Sequence, residues 1–301
     1  GGGMFQQYTG RSVYNGLQFN YRQQVSHSAL WGFIKPGSNL EVSYSFSRFV
    51  SNGGNDQNFG ATAFDFINPG QFSGPAALDR THQLSFGGVF DLKGGLRLSL
   101  LSHFYSSLPT NLFLEDDGSP GQIFKTDVTG DGTTGDIVPG TNVGSFMRGV
   151  SASGLNNLIN GYNSSQAGTL TPAGQALVTA GLFTQDQLVA LGAVKPALAN
   201  AVPGELGNGI LRTLDMSLSY PIKIKERFRL EPSIRFFNLF NFANFDVLTG
   251  TLALQGETPA PGSVQGTGTT ADRDQVRLGN GSGTFSQGAP RQIEYGLRIT
   301  F

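Results

Sequence analysis

Apolar and polar residues trade places one by one along several stretches of the chain. In residues 12–23, Leu17, Phe19 and Tyr21 alternate with Gln18, Asn20 and Arg22; in 40–49, Leu40, Val42, Tyr44 and Phe46 alternate with Glu41, Ser43, Ser45 and Ser47. A period of two is that of a β-strand with one apolar face. The same pattern predicts a hairpin in 81–92 and 96–104 around the tight Lys93-Gly94-Gly95 turn. It predicts further strands over 211–220 and 228–238, joined by a turn at 221–227, and a last one over 291–301. Pro232 gives up a ladder hydrogen bond inside its strand, so a local bulge is expected there.

The connections alternate in length. Those at 93–95 and 221–227 are short, while 50–80, 106–210 and 241–290 are long and rich in glycine and polar residues. Short turns at one end and long loops at the other characterise outer-membrane barrels. With Phe301 at the periplasmic end, Tyr220 and Phe228 fall beside it, and Phe104, Tyr105, Phe236 and Phe237 fall at the outer interface, forming two aromatic girdles. The fold class is therefore all-β: an antiparallel transmembrane β-barrel, partial and C-terminal, forming one domain over 1–301. Its long extracellular loops carry short helices. Thr171 with Pro172 predicts one helix start, and the Thr184/Gln187 capping box another. Gly181 and Gly192 are expected to end them, and their apolar residues to pack the loop on itself. A secreted glycan-binding β-sandwich explains the alternation but not the loop lengths, and stands as the soluble alternative.

Composition changes this picture little. Charged residues make up 14% of the 301, against about 25% in ordinary soluble domains, as a lipid-facing surface would require. A net charge of -1 excludes an electrostatic nucleic-acid binder. No apolar run reaches the roughly 18 residues of a transmembrane helix. GGGMFQQYTG lacks the pattern of a signal peptide, so export implies that the leader has been processed away or that the chain is a fragment. The absence of cysteine rules out disulfides and thiolate metal sites.

The last strand, with Glu294, Gly296, Ile299 and Phe301, is similar to the C-terminal assembly signal of outer-membrane barrels, which implies recognition by the barrel-assembly machinery. GRSVYNGLQ at 10–18, DRTH at 79–82, TPAGQAL at 171–177, FNLFNF at 237–242 and this final strand together resemble the C-terminal barrel of TonB-dependent receptors. The kind resembled has large loops and a carboxypeptidase-regulatory-like N-terminal domain. The resemblance implies a barrel of about 22 strands around an N-terminal plug, energised through TonB and importing an extracellular ligand. Only about seven strands and no plug are read here, so the chain corresponds to the last third of such a receptor. Alternatively it forms a small self-standing barrel, adhesive or structural, by recruiting residues 5–9.

Candidate chemistry is sparse. Asp127, Asp131 and Asp136 lie in a DVTGDGTTGD run that echoes the start of an EF-hand, but Val138 stands where the bidentate glutamate belongs. A looser calcium turn is one reading and a solvated Asp/Gly turn the other. His27, His82 and His103 have no metal-ligand spacing, and His103 is expected to hydrogen-bond in the lumen. Asp116 and Asp117 are adjacent loop residues, and no catalytic motif occurs, so no catalysis is expected. Arg22, Glu41, Arg97, Asp215, Arg229, Glu231, Arg235, Glu294 and Arg298 fall on the polar faces, where they either form a charged lumen network against the plug or are simply solvated.

Overall fold

A computed structural model describes residues 10–53, 64–201, 207–225, 228–260, 262–266 and 290–301. The expected strands all form: β1 (Ser12–Gln24), β2 (Asn39–Ser51), β4 (His82–Asp91), β5 (Arg97–Tyr105), β7 (Leu211–Ser219), β9 (Phe228–Phe237) and β11 (Gln292–Thr300). Short strands β3 (Gly74–Pro75), β6 (Phe113–Leu114), β8 (Ile222–Lys225) and β10 (Thr251–Leu252) lie between them, with helices α1 (Leu155–Ser165), α2 (Pro172–Thr179) and α3 (Gln185–Ala190). The long strands run β1-β2-β4-β5-β7-β9-β11, each pairing antiparallel with the next in sequence, as one meander.

The register carries one apolar face across the whole sheet. Phe19 lies opposite Tyr44, Tyr44 opposite Leu84, and Leu84 opposite Phe104. Further along, Leu100 meets Met216, Met216 meets Phe236, and Phe236 meets Ile293. A one-residue slip in any strand would turn its apolar side chains to the other face, so agreement across seven strands fixes the register. Ser102 interrupts the apolar face, and its hydroxyl donates to the Thr213 carbonyl at 2.7 Å, as a polar group facing hydrocarbon must. Among the described residues no second large sheet covers this face, so the soluble sandwich does not form.

Two expectations fail locally. The connection at 221–227 is not all turn, because Ile222 and Lys223 pair with Leu230 and Arg229 in the register that β7 already holds with β9. The rest of that connection, 226–227, lies outside the described residues. Nor does Pro232 cause a bulge in β9, whose pairing with β11 runs unbroken through Leu297 opposite Pro232. Pro232 instead faces the break between β7 and β8, where Tyr220 donates to its carbonyl at 3.1 Å and Pro221 interrupts the ladder. The missing N–H is thus matched to an interruption in the neighbouring strand.

The sheet is open. Six antiparallel steps separate β1 from β11, so both edges run in the same direction, from the long-loop end to the short-turn end. Residues 5–9, the suggested closing strand, lie outside the described residues.

Candidate functional site

At the long-loop end the described parts of the three long connections fold together into a cap. Its main core joins residues from two of them: Leu112, Leu114, Val138, Phe146, Leu155, Ile159, Tyr162 and Leu198 from the second, with Leu248, Leu252 and Val264 from the third. The parallel pair β6–β10 ties the same two loops. A smaller core sets Phe72 of the first loop against Ile137 and Val143. Helix α1, not among the helices expected from the sequence, supplies Leu155, Ile159 and Tyr162 to this core at i, i+4 and i+7. That spacing is a readable helical signal, but the intervening residues are Asn, Gly and Leu158, with neither an N-cap nor a charge pattern to frame it.

The two expected helix starts form as read. Thr171 Oγ1 accepts from the Gly174 amide, and Thr184 and Gln187 make a complete capping box. Gly181 and Gly192 follow with φ of 69° and 67°. The expected packing is only partial, however: Leu188 is buried, whereas Leu182, Phe183, Val189 and Leu191 are exposed.

Polar side chains stitch the cap to itself and to the sheet. Asn156 and Asn163 each accept from and donate to the backbone of one residue, Ala201 and Leu198 respectively, as a pairing strand would. Asn208 donates to the Leu108 carbonyl and accepts from the Leu248 amide. The strongest clasp is ionic. Arg148 Nε lies 2.9 Å from Asp79 Oδ2 and its other nitrogens donate to the Asp79, Met147 and Ser107 carbonyls, while Asp79 Oδ1 accepts from the Phe49 amide at 2.7 Å. Asp79 is 2% exposed. The sequence shows Asp79 only within a resemblance, and nothing in it connects that residue with Arg148, 69 positions away.

Asp127, Asp131 and Asp136 do come together, with one oxygen of each within 4.8 Å of the others. Their hydrogen bonds already account for their burial. Asp127 accepts from the Gly130 and Gly132 amides, Asp136 from those of Val128 and Thr129, and Asp131 from Thr133 and, across loops, from the Phe66 amide at 2.7 Å. Burial pushes the Asp136 carboxyl up to about 6, against the amides that oppose it and with Asp131 and Asp127 adding repulsion. Asp131 is also desolvated, yet the Thr133 hydroxyl and the Phe66 and Thr133 amides hold it below the usual range. Asp116 and Asp117 are exposed and cap local turns.

The polar face of the sheet holds the charged residues expected on it, in separate pairs rather than one network. Arg22 meets Glu41 at 2.8 Å, Arg235 meets Glu294 at 3.3 Å, and Arg229 meets Glu231 at 3.6 Å along one strand. Arg97 pairs with Asp91 at 2.7 Å. Asp215 accepts from the Asn238 amide. Arg298 stands opposite Glu231 in the register, with no ion pair within 4 Å among the described residues. His103 bonds Ser85 and Tyr105 at 2.8 and 3.0 Å, His82 bonds Tyr44 at 2.8 Å, and His27 sits in the turn between β1 and β2, so the three histidines remain apart.

The terminal strand is one of the two edges of the sheet among the described residues. Gly296 lies opposite Ser233, where a Cβ would come within 2.6 Å of the hydroxyl, so the one small residue in the alternation answers a close approach. Glu294 and Arg235 flank it on the polar face; Ile299 lies on the apolar one, and Phe301 follows, 95% exposed. No curated protein and no solved structure matches the chain. A family model described as an outer membrane beta barrel domain matches residues 4–293. With its apolar outer face, polar inner face and loops sorted by end, the chain belongs to the outer membrane beta barrel domain family, and its place is the bacterial outer membrane.

Proposed function

We propose that the chain is the C-terminal part of a TonB-dependent outer-membrane receptor, which takes up an extracellular nutrient through a plugged barrel. The observation that carries this reading is the cap: three loops from one end of the sheet fold into a body with its own buried core. Among the described residues the wall of seven strands beneath it remains open, which suits a wider barrel. Closing the sheet by antiparallel pairing needs an odd number of further strands, because both edges run the same way. A large barrel supplies them, and open edges cannot persist in lipid.

In this reading the cap catches ligand. The polar face, with Arg22, Glu41, Arg97, Asp215, Arg229, Glu231, Arg235 and Arg298, meets a plug. The barrel-assembly machinery reads Glu294, Gly296, Ile299 and Phe301 on the exposed terminal edge, and the role is transport rather than catalysis. The test is capture of the full gene product from detergent-extracted outer membranes on the immobilised periplasmic domain of TonB. Retention that competes with free TonB domain is expected. A product that passes through unretained, and that migrates as a heat-modifiable barrel of this chain's size, would assign the self-standing barrel instead.

A further inference from the structure

The turn between β1 and β2 carries the chain's single tryptophan at its tip. Ala29 and Ile34 exchange backbone hydrogen bonds of 3.0 and 3.1 Å, and the Phe33 amide donates to the Leu30 carbonyl at 3.1 Å, which puts Trp31 and Gly32 at the centre of a β-turn. Their φ values are 54° and 83°, and that of Leu30 is 48°. Left-handed φ at both central positions is the requirement of a type I′ turn, which Asn-Gly meets with least strain. A tryptophan there, after a left-handed leucine, is strained. Packing among the described residues does not hold these positions, because Trp31 is fully exposed and Leu30 and Phe33 are 60% and 53% exposed. Strain and bare apolar surface coincide at one tip, which directs attention to something outside the chain.

The location says what that is. The Lys93 amide donates to the Phe33 carbonyl at 2.8 Å, the Lys35 amide to the Asp91 carbonyl at 2.7 Å, and Ile34 bridges Leu92. The tip is therefore strapped to the end of β4 at the short-turn rim, just past Phe90, the last residue of that strand on the apolar face. It continues the lipid-facing surface beyond the rim, flanked by the exposed Lys35 and Lys93. Indole, phenyl and leucine side chains beside lysines suit the headgroup level of a bilayer, where aromatic rings sit between hydrocarbon and water and ammonium groups meet anionic lipid.

We propose that residues 30–33 form an interfacial foot resting in the headgroup layer of the periplasmic leaflet, with Trp31 as its anchor. Because Trp31 is the chain's one tryptophan, its emission reports the foot directly. The full chain in its receptor, inserted in vesicles containing phosphatidylglycerol, would be measured with any tryptophans outside this chain replaced by phenylalanine. Expected are a blue-shifted emission, at least two-fold less iodide quenching than in the urea-unfolded protein, and quenching by lipids brominated near the carbonyl end of the acyl chain. Emission like that of free indole, fully quenched by iodide and untouched by bromolipid, would overturn the proposal. So would shielding from both quenchers, which would mean that protein covers the tip. The variant Trp31→Asn, whose residue suits the turn, is expected to keep the folded barrel's heat-modifiable migration; loss of the folded barrel in that variant would mean that Trp31 packs within the protein, and would count against the foot.

Discussion

The sheet and the cap are held by different physics. In the sheet a single alternation repeated through seven strands puts every apolar column on one side, and backbone ladders satisfy the polar groups that lipid cannot. The cap has almost no regular structure between its short helices. Its polar groups are satisfied one at a time by buried asparagines and by the Asp79–Arg148 clasp around a core drawn from separate loops. The sheet should therefore tolerate change on its polar face and resist it on the apolar one, whereas the cap should fail at a few joints.

The largest effect is expected at the clasp. Asp79→Ala leaves Arg148 with its charge half-buried and unpaired, a loss of about 3–5 kcal/mol for a broken buried pair. Hydrogen exchange should then show the cap opening while the strands stay protected; equal loss of protection in both would deny that they are separable. On the sheet, Leu100→Arg places a charge on the apolar face and should cost about 2–4 kcal/mol near the bilayer midplane. The neighbouring Ser99→Arg, on the polar face, should cost little. Denaturant unfolding from vesicles compares the two, and similar costs would mean that the faces are misassigned.

A smaller loss, about 1 kcal/mol, is expected for Thr171→Ala, which removes both the α2 cap and a bond to the Ile123 carbonyl. It should appear in cap exchange rates. Asp136 gives a pH signature of the same order or less. Its folded-state carboxyl is raised to about 6, so ionising it costs stability. That cost is complete above pH 6 and is relieved as the pH falls from 6 toward the ordinary carboxylate range. The half-buried Glu115, raised by desolvation and by its hydrogen bond with and repulsion from Glu257, acts in the same direction. Cap melting should rise on going from pH 7.5 to 5.5, and Asp136→Asn should flatten most of the rise; a melting temperature that falls over that interval would contradict the assignment. At the small end is calcium. Since amides already serve these carboxylates, a hydrogen-bonded turn gives a flat calorimetric titration. Heat that disappears in Asp131→Ala would show instead that the turn holds an ion.

How much of this is legible in the sequence follows from the same contrast. Strands such as Leu211–Ser219 can be read because each residue's face depends only on its neighbours at period two. The caps at Thr171 and Thr184 are equally local, and both are read correctly. Pro232 is misjudged because its remedy lies across the sheet, in a break after Ser219. The Asp79–Arg148 pair and the asparagine stitches are invisible for the same reason: they satisfy backbone groups that only the folded loops bring near. The aspartates at 127, 131 and 136 are legible as a cluster because they are close in sequence, but the Phe66 amide that joins them is not.

The most direct test is of the two-faced wall itself. The chain contains no cysteine, so single cysteines can be placed through β7, spin-labelled, and read for exposure to oxygen dissolved in lipid. An outer-membrane barrel requires labels at Leu214, Met216 and Leu218 to be broadened by lipid-phase oxygen and those at Asp215, Ser217 and Ser219 to be protected from it. No alternation, or alternation of the opposite phase, would show that this face does not meet lipid.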